Sequence, residues 1–197
     1  MIACPMKDRI RKQYGEAFEA LREAGNAILI ALILFIGGII IGLMRPSWFD
    51  GDLSLLKGIA KQLHGKSQYA IVGTIFLRNS LSAVLSVLLG PLFGIVPVLG
   101  ALVNGLLVGL TFTYISDADK TRALLQLFPH GIFELPAMFM AWGLGIWQGI
   151  WFLQQKVKPS FRQRRSHSFR ILFIVIIPFL LIAAVIEGAS VHALLQR

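Results

Sequence analysis

The chain has 197 residues, 56% hydrophobic and only 15% charged, with a formal net charge of +9. Soluble domains carry about 25% charged residues, and one small core could not hide this many apolar runs, so the composition excludes a soluble globule and calls for a bilayer. The Lys and Arg excess lies between apolar runs, where it meets anionic headgroups, and no basic patch is interleaved with a stacking platform for nucleic acid. A single cysteine, Cys4, excludes an internal disulfide.

Within an N-terminal segment of 1–26, residues 8–24 predict an amphipathic helix lying on the membrane surface or against a partner. Ile10, Tyr14, Ala17 and Leu21 recur at spacings of four and three among Arg9, Arg11, Lys12, Glu16, Glu19 and Arg22. No small-residue cleavage site follows the first apolar run, which therefore reads as a retained anchor. That run, 27–44, is the first expected span, ended by Arg45 and Pro46, with Trp48 and Phe49 suited to the interface. Residues 52–66 predict an interfacial helix, striped by Leu53, Leu56, Ala60 and Leu63. Spans at 69–89 and 98–115 are joined by an uncharged linker from Gly90 to Pro97, which makes them an antiparallel hairpin. Asp117 and Asp119 suit the cap of a short helix, 120–128, stopped by Pro129. A fourth span at 131–153, kinked by Pro136, and a fifth at 171–189 complete the expectation.

The expected fold class is therefore all-α: a polytopic transmembrane bundle of about five spans, forming one domain over 1–197, with interfacial or broken helices. A basic loop containing Lys156, Lys158, Arg162, Arg164, Arg165 and Arg170 precedes the last span and reads as a headgroup and topology element. Lys and Arg divide eleven to eight in favour of the side that carries this loop and the N-terminus, which predicts a cytoplasmic N-terminus in the cell membrane.

Gly38 and Gly42, Gly105 and Gly109, and Gly145 and Gly149 repeat one four-residue interval, which puts each pair on one helix face and lets backbones approach. Packing inside one chain or homodimerisation would use such faces. Ionisable groups inside spans are costly, about 2.5–3.5 kcal/mol each on insertion scales, so Arg78, His130, Glu134 and Glu187 each need a partner or a task. Their depths coincide, which predicts one polar cluster, joined by the amides of Asn79 and Asn104. It would serve either as a buried ion-pair network or as a proton or metal site. Two carboxylates and one histidine do not make a zinc-peptidase order, and no nucleophile constellation or phosphate loop is present, so neither an enzyme nor a cofactor is expected.

These residues also carry a resemblance. Phe76-Leu-Arg-Asn79, the Asn104-Gly105-x-x-x-Gly109 stretch, Pro129-His130-Gly131-Ile-Phe-Glu134-Leu-Pro136-Ala137 and Ala183-Ala184-Val-Ile186-Glu187-Gly188 resemble, in order, segments of the stage II sporulation protein M (SpoIIM) family. The resemblance implies a five-span helical membrane protein without established enzymatic activity. In spore formers its namesake anchors peptidoglycan-degrading partners during engulfment, although relatives occur where no spores form. Two functions follow as expectations. One is a membrane scaffold for partner membrane or envelope proteins. The other is a transporter or channel for an ion or small solute, which a charge-lined cavity open to one side would favour.

Overall fold

The computed structural model describes residues 15–45, 67–114, 117–154 and 159–195, with the side chains of 117–130, 154 and 191–195 outside that description. The described residues form helices and no strand: α1 (15–23), α2 (Gly25–Met44), α3 (Gln68–Leu89), α4 (Ile95–Tyr114), α5 (Asp117–Gly149), a 3-10 turn (Ile150–Gln154), α6 (Phe161–Ile171), a π-helical turn (Leu172–Ile176) and α7 (Ile177–Leu195). The expected interfacial helix at 52–66, and Lys156 and Lys158 of the basic loop, lie outside the described residues.

On α1 and α2 mostly small residues face inward and large apolar ones outward. A single buried stripe runs through Ala17, Ala20, Ala24, Ala27, Ala31, Phe35, Gly38 and Gly42, at alternating spacings of three and four. Leu29, Ile33, Ile36 and Ile40 stand exposed on the other side of α2, as do Leu77, Leu81 and Leu88 on α3 and Leu181, Ile182 and Val185 on α7. Water would penalise that outer surface, whereas lipid does not, so the helices must be held by close backbone packing instead. Glycine supplies it. A Cβ on Gly105 would strike the Phe35 carbonyl, one on Gly109 the Ile39 carbonyl, and one on Gly42 would lie 2.6 Å from the Leu106 carbonyl oxygen. Thr113 adds a hydroxyl donated to Gly109 O at 3.1 Å and to Gly42 O at 3.4 Å. The same close approach joins α3 to α5, where a Cβ on Gly90 would lie 2.7 Å from the Gly145 Cα, and Gly149 meets Gly94. All three glycine pairs are thus occupied within one chain.

Among the described residues four helices, not the expected five, qualify as spans by their own length and apolarity: Gly25–Met44, Gln68–Leu89, Ile95–Tyr114 and Phe161–Ser190. The expected fourth span, 131–153, is instead part of α5, the central helix, and its residues 141–149 are all buried. Protein encloses that stretch, so Gln148, Gly143, Gly145 and Gly149 dilute its apolarity without meeting lipid, whereas Ile132 and Leu135 nearer the start of α5 stand exposed. Its neighbours fix its direction: Gly143 packs on Ile28 near the start of α2, and Gly145 packs on Ser86 and Pro97. It runs from the end of the bundle that holds Tyr114 to the end that holds Gly90.

Other boundaries move for local reasons. α1 is not a separate surface helix. It continues into α2 through Ala24 N to Ala20 O at 3.0 Å and Ile28 N to Ala24 O at 2.9 Å, because its alanine stripe is the stripe of α2. Pro129 does not stop a helix, since α5 runs on through it and through Pro136. The last helix begins ten residues early, at Phe161, because Ser160 and Gln163 form a capping box, with Ser160 N donating to Gln163 Oε1 at 2.9 Å. The π turn at Leu172–Ile176 lies just before Pro178, which lacks the N–H that an α-helix would donate to the Ile174 carbonyl, and there Ile177 N–H donates to Leu172 O five residues back.

Candidate functional site

α3 brings Thr74, Arg78 and Ser82 onto one face at intervals of four, with Ile75 and Asn79 beside them. α4 presents Val103, Asn104 and Leu107, α5 presents Glu134 and α7 presents Glu187. Together these residues line one cavity of about 360 Å³. Arg78 is exposed to it, whereas Asn79, Asn104, Glu134 and Glu187 are half-buried. Arg78 and Glu187 line the same cavity, yet among the described residues no hydrogen bond or ion pair of 4 Å or less joins them. Thr74 donates its hydroxyl to Ala70 O at 2.7 Å, and Asn104 donates Nδ2 to Gly100 O at 2.7 Å. Asn104 therefore bonds within its own helix instead of across helices, leaving its carbonyl oxygen as an acceptor.

The structure thus brings five of the six expected cluster residues around one void: Arg78, Asn79, Asn104, Glu134 and Glu187. The sixth, His130, is on α5, and its side chain lies outside the described residues. Arg78 is expected to pair with Glu134 or Glu187; with Glu187 it shares the cavity without a direct bond, although α3 and α7 pack closely at Val72 and Gly188. Thr74 and Ser82 are additions that sequence reasoning missed, although their four-residue spacing from Arg78 already put them on its face. Among the described residues no group of three His, Cys, Asp or Glu side chains is placed to hold a metal ion.

The stage II sporulation protein M family profile matches residues 31–190, a range that contains every residue lining the cavity. The chain belongs to the SpoIIM family. No curated protein and no solved structure matches it.

At the opposite end of this SpoIIM chain lies a second polar group, built from the basic segment. Arg164 is 1% exposed, not a headgroup contact. Its Nη1 donates to Trp147 O at 2.8 Å, its Nε to Pro159 O at 3.3 Å, and its guanidinium lies 4.9 Å from the Trp147 ring centroid. Trp147 is in the last turn of α5, where orphan carbonyls and the negative end of the helix dipole favour a cation. Arg170 pairs with Glu16 of α1, and Arg165 lies over Phe169, so only Arg162 of the four described basic residues is exposed without such a contact. Gln148, 1% exposed, donates Nε2 to Val87 O at 3.1 Å. That carbonyl would bond the amide of residue 91, but Pro91 has none, and Gln148 takes its place.

Proposed function

We propose that this SpoIIM protein binds a small polar solute or ion in the cavity between α3, α4, α5 and α7 and conducts it across the membrane without covalent chemistry. The observation that supports the reading is the polar lining of that cavity, Arg78, Glu134 and Glu187 with two asparagines, within a bundle whose outer surface suits lipid. In this reading the end carrying Glu16 and Arg170 faces the cytoplasm, following the bias of Lys and Arg toward it. The test is stopped-flow swelling of proteoliposomes with a panel of small polar solutes and salts. Faster swelling than empty liposomes for some of them, lost in Glu187→Gln, is expected; equal rates for all would remove the proposal.

A second reading, a membrane scaffold or anchor for partner proteins, draws on Phe18. It is 73% exposed on α1 beside Glu19 and Arg22, outside the family-matched region, and suits a docking contact. Capture in mild detergent followed by mass spectrometry tests this reading, with Phe18→Ala expected to lose the captured protein.

A further inference from the structure

Resting on the solute-binding reading, we infer that the cavity takes a zwitterion, a small molecule that carries an ammonium and an acid group together. Arg78 from α3 and Glu187 from α7 supply one charge of each sign to the same void without a direct bond to one another. A guanidinium calls for an anionic or acceptor partner and can offer five donors to it. A cation alone would answer Glu187 and offer nothing to the Arg78 guanidinium. An anion alone would do the reverse. A molecule with both groups answers both ends, with its acid on the Arg78 fork and its ammonium on Glu187.

The neutral lining fits the same ligand. Asn104 has its amide nitrogen committed to Gly100 O and keeps its carbonyl oxygen as an acceptor for an ammonium. Asn79 and Ser82 lie on the Arg78 face and add groups suited to an acid oxygen. The volume, about 360 Å³, lies at the lower end of small-molecule sites, which suits a ligand of amino-acid size. Ile75, Val103 and Leu107 provide an apolar wall for a short side chain. The same chemistry also occurs in an ethanolamine phospholipid headgroup, so the source of the zwitterion is decided by experiment.

The full chain, purified into phosphatidylglycerol nanodiscs, is titrated with L-alanine, acetate and ethylammonium at constant ionic strength, with tryptophan fluorescence and the unfolding midpoint as readouts. L-Alanine gives a saturable shift that acetate and ethylammonium do not reproduce singly. Arg78→Gln and Glu187→Gln each weaken it by about tenfold or more, while Arg78→Lys retains part of it. Phosphoethanolamine and phosphatidylethanolamine nanodiscs form the other arm. A response there without one to L-alanine assigns the same site to a lipid headgroup. An equal response to ethylammonium or acetate alone overturns the zwitterion and leaves a site for a simple ion. Silence toward L-alanine, phosphoethanolamine and phosphatidylethanolamine also overturns it, and the swelling assay then decides separately whether solute conduction stands.

Discussion

Arg164 donates to the Trp147 carbonyl at 2.8 Å while its guanidinium lies over the same residue's ring at 4.9 Å, so one buried side chain closes the end of α5 twice. Removing it strands a carbonyl at a buried helix end and opens a gap against the indole. Arg164→Ala is expected to cost about 3 kcal/mol, and Arg164→Lys a substantial part of that because a lysine cannot reproduce the fork. Arg162→Ala, on the exposed face of α6, should stay within about 0.5 kcal/mol. Equilibrium unfolding in mixed micelles separates the two. Equal losses at 162 and 164 would return Arg164 to the surface role.

Gly105 and Gly37 make a matched pair for the close-packing argument. A Cβ on Gly105 would run into the Phe35 backbone, whereas one on Gly37 meets nothing within 4 Å. Gly105→Ala should destabilise by about 1–3 kcal/mol through forced separation of α2 and α4. Gly37→Ala should be neutral or stabilising by up to about 1 kcal/mol, since alanine is the better helix former. The unfolding midpoints of both variants measure this, and a stabilised Gly105→Ala would contradict the packing.

Glu16 and Arg170 tie α1 to the end of α6, with about a third of each side chain exposed (35% and 31%). A double-mutant cycle of Glu16→Gln and Arg170→Gln should give a coupling of about 0.2–1 kcal/mol that fades with added salt. The charge-swapped pair, Glu16→Arg with Arg170→Glu, should recover part of the loss. Strict additivity would mean that the two do not meet in the folded chain.

Cavity access has its own test. In a Cys4→Ser background, Ser82→Cys should react with a membrane-impermeant methanethiosulfonate reagent, because Ser82 lines the cavity. Leu81→Cys, on the exposed apolar face of the same helix, should be protected by lipid. Labelling at 81 but not at 82 would reverse the assignment of wet and lipid-facing sides of α3.

Composition alone requires a bilayer, and the apolar runs locate α2, α3 and α4 within a few residues, and the last helix apart from its start ten residues earlier, because a span is a property of contiguous sequence. Depth was legible too. Residues of one layer can be read from the order in which helices alternate, which is how Arg78, Glu134 and Glu187 could be grouped before any contact was known. What only the tertiary structure decided concerns environment, not position. A stretch enclosed by protein no longer needs apolar surface, so the run 131–153, which reads as a span in the sequence, is instead buried over 141–149 at the centre of the bundle. Arg164 sits in a basic run with nothing to distinguish it from Arg162 or Arg165, and only the end of α5 arriving beside it makes it a buried cap. Whether Arg78 bonds a carboxylate or only shares a cavity with it depends on how α3 packs on α5 and α7, set by Gly90 against Gly145 and by Gly188 against Val72. That packing is a sum of contacts between segments far apart in the chain, which no local pattern encodes.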